Sequence, residues 1–421
     1  MSLVRVTSAQ RPPDAAAHIG GRLALWGGYA LVLALAPLWL TSSLSQSLLS
    51  QMGIAIIVCL SYNLLLGQGG MVSFGHAVYS GAGAFLAIHT LNRVTGGWAL
   101  PVSLIPLLGG LGSAALALLL GWVTTRRAGT PFAMITFGIG ELVWAAALVL
   151  PDLFGGEGGV SGNRVTGSAP FGVTFGPPIQ LYYLIALYTL VCTALMYVLT
   201  RTPLGRLLNA VRDNPQRVAM VGYNPQQVRY LVFVMAAFFA GVGGGLSALH
   251  FELVSAEVFS AHRSGLYLLF TFIGGSTFFF GPILGAVLMV LALSLLPGLT
   301  PAWLLYLGVI FLAMVMLAPG GLAALLVALW QRVRQIAWWR QWPQRLALLT
   351  SALLAISPLW VWAEMTFRLQ LADELPPTLS LLGLTLDAHS PTSWLGSGLL
   401  GGLGAGLWWV SRRWLAQKER P

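Results

Sequence analysis

The sequence predicts an all-α integral membrane protein, a polytopic helical bundle of about ten core spans with about two more after them. Three observations carry that expectation. Hydrophobic residues fill 57% of the 421 positions and charged ones only 8%, against about 25% charged in a soluble domain. The apolar residues come in runs of the length that a hydrocarbon core of about 30 Å demands, about 20 residues of helix each. The 22 basic residues, with Lys418 the only lysine, lie mostly between the runs, where the positive-inside rule places them. The formal charge of +10 is therefore a matter of topology, and no nucleic-acid partner is expected.

In order, the runs fall near 23–40, 48–66, 78–90, 100–123, 131–150, 181–200, 229–249, 264–280, 282–297 and 302–318, then near 346–363 and 393–410. The pair at 264–297 also fits two shorter, partly re-entrant helices. Arg5, Arg11 and Arg22 precede the first run, and Ala34-Leu35-Ala36 imitates a signal-peptidase site. That run is longer than a signal core and Pro37 follows directly, so it reads as a retained span. The segments are then a cytoplasmic 1–22, a transmembrane domain 23–330 and a C-terminal extension 331–421. Placing both termini in the cytoplasm puts Arg126, Arg127, the 201–229 loop, Arg332, Arg334, Arg340, Arg345 and the basic tail on that side. Asp152, Glu157, Glu252, Glu257, Glu364, Asp373, Glu374 and Asp387 then face the other. Arg93, Arg164, Arg263 and Arg368 are scattered exceptions. Cys59 and Cys192 sit inside apolar runs and read as buried thiols.

The longest polar stretch runs from Arg201 to Arg229. Pro203 begins a short amphipathic helix with Leu204, Leu207, Leu208 and Val211 on one face and Arg206 at its edge. Asn214 caps a second one that starts at Pro215 and is stopped by Gly222, and Asn224-Pro225 starts the next span. Two short helices at a membrane surface make a rigid elbow that transmits a push. An ordinary arginine-rich loop is the plainer alternative.

Other candidate residues are polar groups inside spans. Glu141 lies halfway along 131–150, placed to meet a substrate ammonium group or to pair with a neighbouring helix. Asn63, Ser73 and His76 flank a glycine-rich break, which either lines a cavity or is a tight packing turn. The GxGxxG pattern at Gly396–Gly401 sits in an apolar run without a preceding strand and reads as close helix packing. No GxxxxGK[ST] motif occurs, so the chain is not expected to bind and hydrolyse ATP by itself, and no cofactor of its own is expected.

Several ordered motifs resemble the branched-chain amino acid permeases of the LivM type, membrane subunits of ATP-binding-cassette (ABC) importers. They are Asn63-Leu64-Leu65-Leu66-Gly67, Ser73-Phe74-Gly75-His76-Ala77, Gly81–Phe85, Gly155–Gly162, Arg201–Gly222, Gly281–Ala286 and Ala318–Leu322, together covering roughly 20–330. Thr277 and Gly320 depart from the family pattern, and nothing from about 331 onward matches it. The resemblance implies an importer permease fold in a bacterial inner membrane. It implies a second homologous permease, two cytoplasmic ATPase subunits carrying ATP and Mg, and an extracytoplasmic solute-binding protein as partners, besides membrane lipid. Gly205, Arg206, Arg212, Asp213, Asn214, Pro215 and Arg217 then form the ATPase-coupling loop. Gly158, Gly159 and Ser161 are expected to shape the outer mouth, and Asn63, Ser73, His76 and Glu141, from their polarity within the spans, are the candidates for the path. The expected cargo is a branched-chain amino acid or a related small solute such as urea or an amide. An ion-coupled secondary transporter, the alternative, calls for several buried ionisable groups, and the spans offer essentially Glu141.

Overall fold

The computed structural model describes residues 15–165, 174–318, 320–333, 342–370, 378–381 and 384–418. Arg5, Arg11, Arg334, Arg340, Asp373, Glu374 and Arg420 lie outside them. The chain forms two compact units that divide after Thr271.

The first unit runs α1 (Ala15–Trp39), α2 (Ser43–Asn63), α3 (His76–Thr95), α4 (Ile105–Thr124), α5 (Thr130–Val149), α6 (Pro151–Phe154), β1 (Val160–Ser161), α7 (Pro178–Arg201), α8 (Pro203–Asp213), α9 (Pro215–Met220), α10 (Pro225–Phe251), β2 (Leu253–Val254) and most of α11 (Ala261–Gly274). Helix α10 packs along α2, α3 and α4, and α2 along α7. Glycines let the helix backbones meet. A Cβ on Gly241 of α10 would lie 2.7 Å from the Gly109 carbonyl of α4, and one on Gly109 would lie 2.7 Å from the Gly83 carbonyl of α3. Such close approach is how membrane helices gain dispersion energy where lipid offers no hydrophobic drive. Ser113 adds a hydrogen bond of 2.6 Å from its hydroxyl to the Tyr79 carbonyl.

The second unit holds α12 (Gly281–Leu299), α13 (Trp303–Leu317), α14 (Gly321–Val333), α15 (Trp342–Gln370), β3 (Thr378–Leu381), β4 (Leu384–Asp387) and α16 (Pro391–Lys418). Strands β3 and β4 form an antiparallel hairpin. Helices α15 and α16 pack on each other, with Val361, Met365, Ala388 and Trp394 in a small core. Sequence assigns Glu364 to an outer loop, but it lies within α15 and is 3% exposed. Its carboxylate accepts hydrogen bonds of 2.9 Å from the hydroxyls of Thr300 and Tyr306. The extension is therefore fastened to the α12–α13 connection by a specific buried polar contact.

Six helices among the described residues are long and apolar enough to cross a membrane, or seven if the bent pair Trp303–Leu317 and Gly321–Gln331 counts as one. The twelve-span expectation is higher because apolar runs in sequence also come from shorter or more polar helices. Helix α11 has 14 residues, about 21 Å of helix, too short for a core of about 30 Å. Helix α3 is long enough, but His76, Ser80, His89, Thr90, Asn92 and Arg93 lower its hydropathy. Most of its residues are buried against protein, so this polarity costs little.

Candidate functional site

The elbow follows α7 directly. The Thr202 hydroxyl accepts from the Gly205 N–H at 3.3 Å and caps α8. Gly205 is buried, and a Cβ there would lie 2.5 Å from the Leu199 carbonyl, so only glycine allows the chain to turn this closely. Helix α8 buries Leu208 and Val211, worth about 1.5–3 kcal/mol each by area, and exposes Arg206 and Asp213. The Asn214 side chain accepts from the Arg217 N–H at 3.0 Å and caps α9, with Pro215 in the first turn. Gly222 takes φ +93 and ends the elbow, and the Asn224 side chain caps α10 through the Gln226 N–H. Leu207, Ala210, Asp213, Arg217, Val218 and Tyr223 line an open, mainly apolar cleft of about 400 Å³ on the elbow.

The elbow's other edge grips the end of α2. The Asn209 amide donates to the Gln68 side-chain oxygen at 3.0 Å, and the Arg212 guanidinium donates to the Gly67 carbonyl. The stem of Arg212 lies against Gly70, where a Cβ would come within 2.8 Å of it. A second guanidinium nitrogen pairs with the exposed Asp213 carboxylate at 3.1 Å. Among the coupling-loop residues, Arg212 thus engages the membrane bundle, while the side chains of Arg206 and Arg217 have no partner among the described residues.

The gripped segment is a break in α2. After Asn63 the helix widens into a π-turn, Leu64–Gln68, and Gly70 at φ +64 turns the chain back. The returning strand lies beside α2: the Tyr62 hydroxyl donates to the Ser73 carbonyl at 2.8 Å and accepts from the Ser73 N–H at 3.1 Å. Helix α3 then starts at His76, whose Nε2 is 2.8 Å from the Ser61 hydroxyl. That hydroxyl donates to the Val58 carbonyl, so it accepts from Nε2–H and the His76 Nδ1 keeps a free lone pair. The Phe74 N–H donates to Thr136 and the Ala77 N–H to Ser264. Asn63, Ser73 and His76 are at most 1% exposed. Their Asn63 Oδ1, Ser73 Oγ and His76 Nδ1 atoms have no hydrogen-bond partner among the described residues. Three unpaired buried polar atoms at one break depart from the rule that such groups are satisfied.

The sequence-predicted residues therefore form separate groups. Asn63, Ser73 and His76 are brought together. Glu141 is half-buried on α5, five residues after Thr136, with no hydrogen-bond or ion-pair partner among the described residues. At the far end from the elbow, Gly159 takes φ +71, Val160 and Ser161 pair with Val254 and Leu253, and Gly158 is exposed. Ser161 acts through its backbone, its carbonyl accepting from the Asn92 amide at 2.9 Å. Sequence reasoning missed Arg164, which organises this end. Its side chain donates to the carbonyls of Leu249, His250, Phe175 and Gly176 and lies 3.6 Å from the Glu252 carboxylate. Its placement on the acidic side, against the charge rule, was the available signal.

Membrane-length helices around a broken helix with unpaired buried polar groups define a membrane transport protein. The family described as "Branched-chain amino acid transport system / permease component" matches residues 44–319, and the chain belongs to that family. It is 30% identical over 315 residues to the high-affinity branched-chain amino acid transport system permease protein LivM of Salmonella typhimurium, covering 69% of this chain and 73% of that protein. Against LivM of Escherichia coli the figures are 29% over 316 residues, with 69% and 73% covered. The fructose import permease protein FrcC of Rhizobium meliloti is 26% identical over 210 residues, 46% of this chain and 56% of that one. No solved structure matches.

Proposed function

We propose that this chain is the membrane subunit of an ATP-driven importer of branched-chain amino acids, or of a related small amphipathic solute. It works with a second permease, two cytoplasmic ATPase subunits that hold ATP and Mg, and an extracytoplasmic binding protein. The observation that carries this reading is the two-sided elbow. Its outer side offers an apolar cleft beside Asp213 and Arg217, and its inner edge holds Gln68 and Gly67 of the broken helix. Arg206, Asp213, Asn214, Pro215 and Arg217 present the surface to the ATPase. Arg212 passes its movement to the break. There Asn63 Oδ1 and His76 Nδ1 are hydrogen-bond acceptors suited to an ammonium group, with Ser73 beside them and the Glu141 carboxylate on the neighbouring helix α5. Gly158, Gly159 and Ser161 belong to the mouth that receives solute from the binding protein.

The test is uptake of labelled leucine into vesicles holding the chain with the subunits that co-purify with it. Uptake is expected to stop when ATP hydrolysis in those subunits is abolished. Uptake that continues under an ion gradient alone would sink the proposal and favour a secondary transporter.

A further inference from the structure

A cavity beside Arg164 has no part in the sites above. It holds about 300 Å³, and Ser43, Ser47, Arg164 and His250 supply most of its polar wall. Pro178, Leu181 and Phe251 supply the apolar one. That volume is in the range of small-molecule sites, about 300–1,000 Å³.

Its level in the membrane follows from helix length. Ser43 and Pro178 begin α2 and α7, and Phe251 ends α10. The three membrane-length segments have 26, 24 and 27 residues, about 36–40 Å of helix, against a hydrocarbon core of about 30 Å. Their ends therefore stand among lipid headgroups, and the cavity with them.

The polar wall has hydrogen-bond donors left over. Of the five N–H groups of a guanidinium, Arg164 directs four to the carbonyls of Phe175, Leu249, His250 and Gly176, which leaves one on Nη2. Ser47 Oγ accepts from the Gln51 amide at 3.3 Å, and its own proton has one acceptor among the described residues, His250 Nε2 at 3.2 Å. The imidazole proton then belongs on Nδ1, a buried atom with no hydrogen-bond partner among the described residues. The exposed Ser43 hydroxyl is likewise unpaired there, whereas Ser50 donates to the Gln46 carbonyl at 2.9 Å.

Three free donors on one cavity, one of them cationic, suit an anion rich in oxygen. Glu252 lies 3.6 Å from Arg164 but does not line the cavity, so no carboxylate stands in the wall. The first turns of α2 and α7 at the wall add the positive ends of two helix dipoles. The apolar wall favours one source of such an anion. A free ion gains nothing from Leu181 and Phe251, whereas the glycerol and upper chains of a lipid are buried against them.

We propose that this cavity binds the phosphodiester headgroup of an anionic phospholipid, at the end of the bundle far from the elbow. The site does not depend on which solute is transported. The measurement is Kd by native mass spectrometry of the purified, delipidated full chain, titrated with dioleoylphosphatidylglycerol, with dioleoylglycerol or with inorganic phosphate. The phospholipid is expected to bind at least about 10-fold more tightly than either of the others. Ser43→Glu, which sets an anion at an exposed position on the wall, and His250→Phe, which removes the Nδ1–H, should each weaken it about 10-fold. The thermal transition of lipid-free Ser43→Glu should match that of wild type. Wild-type affinity in Ser43→Glu would overturn the site, whatever His250→Phe does. Dioleoylglycerol bound as tightly as the phospholipid would overturn it too, since the chains alone would then suffice. Inorganic phosphate bound as tightly would overturn the lipid assignment in favour of a free ion.

Discussion

The two ends of the first unit are each fastened by one arginine, but in different ways. At the far end, Arg164 has a side chain only 16% exposed, reaches four backbone carbonyls and lies beside Glu252. Two of those carbonyls, of Leu249 and His250, belong to the last turn of α10, where a cation also complements the helix dipole. At the elbow, Arg212 is 42% exposed, reaches one carbonyl, and spends its other contact on an exposed neighbour. The first arrangement holds a loop still. The second is a latch light enough to move with the elbow while still pulling on the break.

The largest effect should come from cutting the stronger tie. Arg164→Ala removes the donor to four carbonyls and leaves Glu252 only the backbone N–H of residue 164, and should cost about 2–3 kcal/mol of stability, read as a lowered thermal transition in detergent. A fall below about 1 kcal/mol would erase the contrast between the two ends. Next, Gly205→Ala puts a methyl group against the Leu199 carbonyl. It should cost about 1–3 kcal/mol by overpacking and lower uptake with it. A stable, fully active variant would mean that the elbow does not need this close turn. Asn209→Ala removes the amide bond to Gln68 and should cost about 1 kcal/mol, with partial loss of coupling between hydrolysis and uptake. The smallest effect on stability is expected of Arg206→Glu, which has no partner to lose among the described residues. It should weaken co-purification of the ATPase without shifting the thermal transition, and unchanged recovery of the ATPase would remove Arg206 from the docking surface.

The elbow was legible in sequence because caps are local. Asn214-Pro215, Gly222 and Asn224-Pro225 each act on residues within a few positions, and all three take the roles that their types suggest. The break at 64–75 was legible as a break, since glycines and His76 interrupt an apolar run. Its fold-back was not, because it depends on Tyr62 meeting the backbone of Ser73. The grips of Arg164 and Arg212 were hidden for the same reason. Besides the carboxylates of Glu252 and Asp213, their acceptors are carbonyls, which every residue carries, so no side chain marks which part of the backbone they reach. Hydropathy marked the long helices and also runs beyond the six or seven membrane-length helices among the described residues, since it does not register that α3 is covered by protein or that α11 stops at Gly274.

The central claim is that Arg212 carries the elbow's movement to the broken helix. It is tested by the number of ATP molecules hydrolysed per solute imported, in vesicles holding wild type or Arg212→Glu. The charge reversal sets an anion against the Gly67 carbonyl and breaks the latch. Hydrolysis should continue while uptake falls, so that the ratio rises about 10-fold, a difference of about 1.4 kcal/mol in coupling, with the thermal transition nearly unchanged. A ratio equal to that of wild type would contradict the account.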